Sequence, residues 1–596
     1  MTQFKIINRV FCLLFLLTII SCKQPSKEAE MIVLNAAITT LDEANPTAQA
    51  VAVKDGKIIA VGSSEEILKL KGDSTIIVDA HGKRIIPGLT DSHSHFLRGG
   101  LSYTRELRWD GLPTLKEGLE MIKKAAEITP EGEWVRVIGG WTPWQFSEQR
   151  LPTPAELTEA APNTPVYVQY FYSAAIVNKK GLEILGISKN TADPYQGRFE
   201  RDANGNPTGL MLAEPHPGIF YGKIAALPGT TKEIEANSTI HMFRELARYG
   251  LTGVIDAAGG GFNYPEGYTT AEKLAVDGKL AIRTSFFLFP QKPKKELEDI
   301  KTWTDNYKAG KNTDTHKEHG FELEGAGEYI LWEAADYENF RWERPELPKT
   351  MGANLEPVLK LLIEKRWPFK IHSTYNESIQ KILDILEKVN KETPLNGLRW
   401  SIEHAETIKP ETVDRIAALG GGLALQDRMV FLGDDFVKRY GLEAAKYSPP
   451  LRYIYDKGIP VGMGTDGTRG SSFNPFVSLH FMVTGKTASG LKIYDKDNTL
   501  TREEALRVHT IGSAWFSNEE DVKGRIKKGQ YADLVILSKD FMTVPEDEIK
   551  SIESVLTIVN GKMVYGSGDY EALVPQAPAI LPEWSPLKLY GSYYKN

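Results

Sequence analysis

Cysteine is nearly absent from this chain. Its 596 residues include two, Cys12 and Cys22, both close to the N-terminus. No disulfide framework can form downstream of them. Thiolate ligation of a metal is excluded there too, which leaves imidazole and carboxylate as ligands. An excess of one charge is also missing: 71 Lys+Arg stand against 78 Asp+Glu, a net charge of -7. With no basic stripe interleaved by aromatics, nothing points to a nucleic-acid partner. No solenoid-type repeat and no long low-complexity tract appears. Hydrophobic content of 41% and charged content of 25% are those of an ordinary soluble globular chain, long enough for several domains.

The longest apolar run near the start is Val10 to Ile20, preceded by Lys5 and Arg9. It is too short to span a bilayer and reads as the h-region of a leader. It ends Ser21-Cys22, a junction that resembles the lipobox of bacterial lipoproteins. That resemblance implies cleavage before Cys22, lipidation of Cys22 and an exported protein anchored to a bacterial membrane. An uncleaved signal anchor is the alternative. Residues 1–22 are therefore expected as leader, and polar residues 23–30, with Pro25, as a tether.

Beyond the tether the chain reads as short strands at both ends around an α/β middle. Residues 31–86 and 523–596 contain strand pairs joined by Asp55-Gly56 and Asn560-Gly561, strong hairpin turns. One β-sandwich assembled from both termini is the expectation, two unrelated hairpin sets the alternative. In residues 87–522, strand candidates alternate with helical stretches. The first is Arg84 to Thr90, followed by Gly250–Ala257, Ile282–Phe289, Phe321–Ile330, Pro368–Ser373, Leu398–His404, Gly421–Gln426 and Ile459–Asp466. Eight such strands close a (β/α)8 TIM barrel. Residues 97–238 break the pattern as a long insertion after the first strand. On the C-terminal face it would form a lid or specificity subdomain; elaboration remote from the site is the other reading.

The chemistry gathers at strand ends. Asp91-Ser92-His93-Ser94-His95 follows the first strand, and two histidines one residue apart on a strand share a face. The fifth strand ends at His372, the sixth at His404 and the eighth in Gly464-Thr465-Asp466. Taken alone, His93 and His95 could be solvated loop residues, and His372 or His404 a packed one. Four of the chain's 11 histidines at equivalent strand ends argue for a metal site.

At this point the residues resemble the amidohydrolase superfamily, in particular the branch of N-substituted formamide deformylase-like proteins. Ile86-Pro87-Gly88-Leu89-Thr90-Asp91-Ser92-His93-Ser94-His95, Ile402-Glu403-His404-Ala405, Gly464-Thr465-Asp466 and Gly524-Arg525-Ile526-Lys527-Lys528-Gly529 carry the resemblance, which covers nearly everything after the leader. It implies one or two divalent ions, zinc foremost. His93, His95 and Asp466 would hold one. His372 and His404 would hold a second or orient the substrate, and Asp466 would also be the general base. It implies hydrolysis of an amide, N-formyl or cyclic amide C–N bond; C–O hydrolysis or isomerisation on the same site, or a non-catalytic ligand-binding lipoprotein, are the alternatives. Many two-metal members bridge their ions with a carboxylated lysine on the fourth strand. Here that strand has none, and Glu322, Glu324 and Glu328 share one face by alternation. Glu328 could replace the lysine as a bridge, or all three could be structural. For the small-molecule substrate, Trp141 and Asn178 in the insertion are candidate contacts, with Trp144, Phe171 and Tyr172 as further aromatics. The insertion's own core and a turn cap are the competing roles.

Overall fold

The computed structural model describes residues 28–590 except 225, 226 and 468. The leader, Cys22 and most of the expected tether lie outside the described residues. Eight parallel strands form one sheet: β1 (Leu89–Ser94), β2 (Leu251–Asp256), β3 (Arg283–Leu288), β4 (Phe321–Ala326), β5 (Phe369–Ser373), β6 (Trp400–His404), β7 (Gly422–Gln426) and β8 (Val461–Gly464). They neighbour one another in chain order. The ring closes just past the strand ends, where Asp466 N–H donates to the His93 carbonyl (2.9 Å) and His95 N–H to the Gly467 carbonyl (2.8 Å). This is a TIM-barrel α/β fold with additional β-structure.

The crossover helices follow from apolar spacing. Helix Met351–Glu364 buries Leu355, Val358, Leu359, Leu362 and Ile363, and helix Asn376–Glu392 buries Ile379, Ile382, Leu383, Leu386 and Val389. These side chains recur at i, i+3, i+4 and i+7, one stripe per helix, and join Ile371, Ile402 and Leu423 of the strands in one core.

The stretch expected as a single opening strand is two. Arg84–Pro87 pairs with Ala37–Thr39 and Leu534–Leu537 in a separate six-stranded sheet. β1 begins only at Leu89. Gly88 is the corner between them: a Cβ there would stand 2.1 Å from Thr252 Oγ1, so a side chain would block the step from one sheet to the other. The six-stranded sheet draws Ala37–Thr39, Thr47–Ala48 and Arg84–Pro87 from one end of the chain, and Leu534–Leu537, Ser554–Val559 and Lys562–Gly566 from the other. A four-stranded sheet holds Ala29–Leu34, Ala50–Lys54, Lys57–Gly62 and Lys71–Asp79. Its first strand starts at Ala29, inside the stretch expected as tether. Val33, Val51 and Val53 of this sheet pack with Ile85, Ile536 and Leu556 of the other. Asp55-Gly56 and Asn560-Gly561 have φ values of 50°/71° and 50°/73°, the left-handed pair a tight hairpin requires.

Between β1 and helix Lys232–Arg248 the chain builds a five-stranded sheet ordered Gly197–Arg201, Pro207–Ala213, Ala174–Val177, Val166–Tyr170 and Val135–Ile138. It docks on the C-terminal face of the barrel: Gly140 N–H donates to the Gly470 carbonyl (2.9 Å), Tyr170 Oη–H to Asp435 (2.8 Å) and Asn339 Nδ2–H to the Ala213 carbonyl (3.0 Å).

Two expected substrate contacts are corrected here. Trp141 is fully buried among Trp109, Phe146 and Tyr170, with ring centroids 5.1–5.6 Å away, and its indole N–H donates to the Gln169 carbonyl (2.9 Å). Asn178 caps helix Lys179–Ile184. Its Oδ1 accepts from Gly181 N–H (2.9 Å) and Val166 N–H (3.0 Å), while Nδ2 donates to the Ala161 (2.7 Å) and Thr164 (2.8 Å) carbonyls. No polar atom of either side chain is left for a substrate, because both serve the insertion's own core. Among the described residues no helix is long and apolar enough to cross a membrane.

Candidate metal centre

The strand ends bring six of the expected residues together. His93 is the penultimate residue of β1 and His95 follows the strand, His372 and His404 lie on β5 and β6, and Asp466 and Glu328 stand two residues past β8 and β4. All six are buried. Two sets have ligand-capable atoms mutually within 4.8 Å: His93, His95 and Asp466, and His93, Glu328 and His404. His372 stands outside both sets, yet its Nδ1 lies 2.9 Å from Glu328 Oε2, the same oxygen that His404 Nε2 approaches to 2.8 Å. Glu328 Oε1 lies 3.5 Å from His95 Nε2. One carboxylate thus stands between the two histidine pairs.

Hydrogen bonds on the far sides of the rings set which nitrogen faces inward. His93 Nδ1 pairs with Glu403 (2.6 Å), His95 Nδ1–H donates to the Ala258 carbonyl (2.6 Å) and His372 Nε2–H to the Asp336 carbonyl (2.7 Å). His93 Nε2 and Asp466 Oδ1 are buried without any hydrogen-bond partner. Buried polar atoms are rarely left so unless something else occupies them. Nitrogen and oxygen donors only, arranged this way, fit a divalent ion of the zinc class.

Behind His93 the barrel interior holds a chain of charges. Lys370 Nζ donates to the Ser92 carbonyl (2.9 Å) and to Glu403 (3.1 Å), and Ser401 Oγ–H donates to the other Glu403 oxygen (2.5 Å). Burial works against ionising Glu403, but Lys370 and His93 hold its carboxyl below the usual range. Burial works against Glu328 too, and His372, His404 and His93 keep it well below. His372 resists charging through burial, yet Glu328, Glu338 and Asp336 bring it up to about 9. Burial carries His404 well down, helped by Arg428 and His372.

Several site residues carried no recognisable motif. Arg428, first in helix Arg428–Tyr440, directs Nε (3.0 Å) and an Nη at Asp466 Oδ2, and its other Nη lies 2.5 Å from Glu338. Burial opposes the charge on Asp466, and Arg428, followed by His95 and His93, pulls its carboxyl far below normal. Glu406 lies 3.9 Å from Arg428, and burial raises it to about 8. The available signal was Gln426-Asp427-Arg428, a charged pair directly after a buried strand. Of the insertion aromatics, Tyr172 reaches this wall, its ring 5.8 Å from the Arg428 guanidinium; Trp144 packs instead under Lys438, and Phe171 against Phe431.

The fourth-strand glutamates divide by depth. Glu322 pairs with Lys317 (3.2 Å) and Glu324 accepts from Asn518 (2.8 Å), away from the histidines. β4 ends at Ala326, so Glu328 is presented by the loop rather than by strand alternation.

A model of the amidohydrolase family matches residues 77–565. The N-substituted formamide deformylase of Arthrobacter pascens is 25% identical over 558 residues, covering 90% of this chain and 98% of that protein. The putative amidohydrolase YtcJ of Bacillus subtilis is 27% identical over 549 residues, 88% and 97% of the two chains. Among solved structures, a metal-dependent hydrolase from Pyrococcus horikoshii superposes with a TM-score of 0.60 at 21% identity, covering 87% of this chain and 99% of its own. An atrazine chlorohydrolase from Arthrobacter aurescens, complexed with zinc, gives 0.51 at 15% identity, covering 93% and 100%. Both share the fold. The extent of the family match, over a site of buried histidines and carboxylates at barrel strand ends, makes this chain a member of the amidohydrolase family, hydrolases of non-peptide carbon–nitrogen bonds.

Proposed function

We propose that this protein hydrolyses an amide, N-formyl amine or cyclic amide, acting outside the cytoplasm from a lipid anchor on Cys22. The observation that carries the site reading is the pair of buried donor sets sharing His93, with His93 Nε2 and Asp466 Oδ1 unpartnered. The deformylase relative supports an N-formyl or similar substrate. The Ser21-Cys22 junction supports the anchor.

His93, His95 and Asp466 would hold one divalent ion, with zinc foremost, and His372, His404 and Glu328 a second. Bound there, such an ion polarises the substrate carbonyl and makes water acidic enough to attack at neutral pH. The protein's own groups do the rest. Glu403 and the Ala258 carbonyl fix the rings of His93 and His95 with Nε2 inward. Arg428 occupies Oδ2 of Asp466, which leaves Oδ1 beside His95 Nε2 (3.1 Å) as the oxygen that takes a proton from water and returns it to the departing amine. Tyr172 and Tyr329 supply apolar walls near these groups, Tyr329 with its ring 4.9 Å from that of His372.

Protein purified without chelator is to be incubated with panels of N-formyl, N-acyl and cyclic amides and the released amine measured. Release from at least one class, lost on chelation, is the expected result. A metal-replete enzyme that releases amine from none of them contradicts the reading.

A further inference from the structure

We infer that Arg98 and Arg469 form an anion-binding subsite beside the metal centre, and that the amide hydrolysed here carries a carboxylate, as N-formyl and N-acyl amino acids do. The inference rests on the C–N reading above and narrows its substrate class.

The two arginines come from neighbouring loops. Arg98 lies three residues beyond His95 in helix Phe96–Gly100, and Arg469 three residues beyond Asp466. The hydrogen bond from His95 N–H to the Gly467 carbonyl (2.8 Å) ties these loops together. Both side chains are half-buried. Among the described residues Arg98 makes one hydrogen bond, from Nη1 to the Gly260 carbonyl (3.2 Å). Arg469 sets its guanidinium 5.8 Å from the ring centre of Tyr221. Among the described residues, no carboxylate stands within ion-pair distance of either one.

Both reach the walls of the site: Tyr221 beside Arg469 has its ring centre 6.4 Å from that of Tyr172, which faces Arg428, and Arg98 bonds to Gly260, two residues beyond the Ala258 carbonyl that holds His95. Arg98 acts electrostatically on His95, Tyr221 and Arg469. Burial lowers the pKa of Arg469, and Arg98 lowers it further, while Tyr221, Glu106 and Tyr172 oppose this. Two acids reach this group and both are engaged elsewhere: Ser102 Oγ–H donates to Glu106 (2.8 Å), with Arg108 3.9 Å away, and Asp256, on which Arg98 also acts, accepts from Leu97 N–H and Ala258 N–H (2.8 Å each). The opposite wall is different, since Arg428 there already faces Asp466, Glu338 and Glu406.

Two half-buried guanidinium groups on adjoining loops, neither held in an ion pair, repel one another. An anion placed between them relieves that repulsion. The planar fork of arginine matches a carboxylate through paired N–H bonds. The position next to the His95 and Asp466 loops would hold such a group while the amide lies over the metal ligands.

The test compares N-acetyl- and N-formyl-phenylalanine, in either hand, with N-acetyl- and N-formyl-phenethylamine on metal-replete full-length enzyme. The members of each pair differ only in the carboxylate. Wild type is expected to favour the acid by about ten- to a hundred-fold in kcat/KM. Arg469→Met and Arg98→Met should each bring that ratio toward one. Arg469→Lys, which keeps the charge without the fork, should retain part of it. Equal rates on both members, or preference for the neutral amide, overturn the subsite and leave amide hydrolysis standing. Turnover of neither member counts against hydrolysis of these amides, and calorimetric titration with N-acetyl-phenylalanine then decides the subsite. Saturable binding weakened by Arg469→Met supports it; absence of binding overturns it.

Discussion

Asp466 divides its two oxygens between two tasks, Oδ2 for Arg428 and Oδ1 for the histidine side of the site. Asp466→Asn keeps the size and one oxygen but removes the proton acceptor. In metal-replete protein its turnover is expected to fall by on the order of a hundred-fold or more. Near-normal turnover would remove Asp466 from proton transfer. Glu403 works one step back, through His93. Glu403→Gln and Lys370→Met are expected to weaken metal retention by roughly ten- to a hundred-fold, as losses behind a ligand do, measured by competition with a chelator. At this scale the sequence was legible where periodicity holds. His93 and His95 declare themselves by spacing, and Lys370 and His372 share a face of β5. His404 is out of period: Trp400 and Ile402 pack outward, and His404 turns to the site because its backbone takes φ = 77°. Asp466 keeps the phase of Gly462 and Gly464, the inward face of β8, while Val461 and Met463 pack outward. Arg428 and Glu338 belong to no motif; tertiary packing brings Arg428 to Asp466 and Glu338 to Arg428, so spacing alone could not reveal them.

Among the elements, the eight barrel strands were legible as apolar runs between helical stretches, and structure moved mainly their ends. The opening strand was misjudged because Arg84–Pro87 and Leu89–Ser94 are both apolar, and the step at Gly88 leaves no trace in hydrophobic pattern. Asn178 stood open between a substrate contact and a cap because an amide after an apolar run looks alike in a pocket and at a helix cap; the structure makes it the cap. Its four hydrogen bonds now make a sharp expectation. Asn178→Ala should cost on the order of 3 kcal/mol of stability, from a lost cap and stranded buried backbone groups, with KM little changed. Thermal unfolding beside substrate titration checks it, and a large rise in KM without loss of stability would return Asn178 to the site. Helix Arg502–Arg507 gives a pH dependence. Hydrogen bonds from Arg452 are the largest cause that lowers Glu504 to about 2, with Thr501 assisting. Its folded pKa lies below the unfolded value, so the stabilisation is complete above the ordinary carboxylate pKa and is lost as pH falls toward 2. The melting temperature of wild type should therefore drop more steeply than that of Glu504→Gln between about pH 5 and pH 2. Parallel curves would contradict this.

At the scale of the molecule, a six-stranded sheet with strands from both ends of the chain and a four-stranded sheet of N-terminal strands stand beside the barrel, and an inserted sheet docks on the face where the histidines gather. Strand sets at both termini and the length of the segment after β1 made this arrangement legible. The insertion's aromatics were harder to place, because Trp141 in a core and Tyr172 at the site wall have the same kind of sequence surroundings. Attachment to a membrane is a separate claim. Cys22→Ser should move the protein from the membrane fraction to the soluble fraction, since stable anchoring requires the lipid chains; a variant that still pellets through the same N-terminus contradicts it. The central claim is that the strand ends form a metal centre with His93 common to both donor sets. Elemental analysis of wild type and His93→Ala, each purified without chelator, tests it most directly. Wild type is expected to carry at least one divalent ion per chain and folded His93→Ala to lose nearly all of it, whereas metal-free wild type, or a His93→Ala protein with undiminished metal, would contradict the assignment.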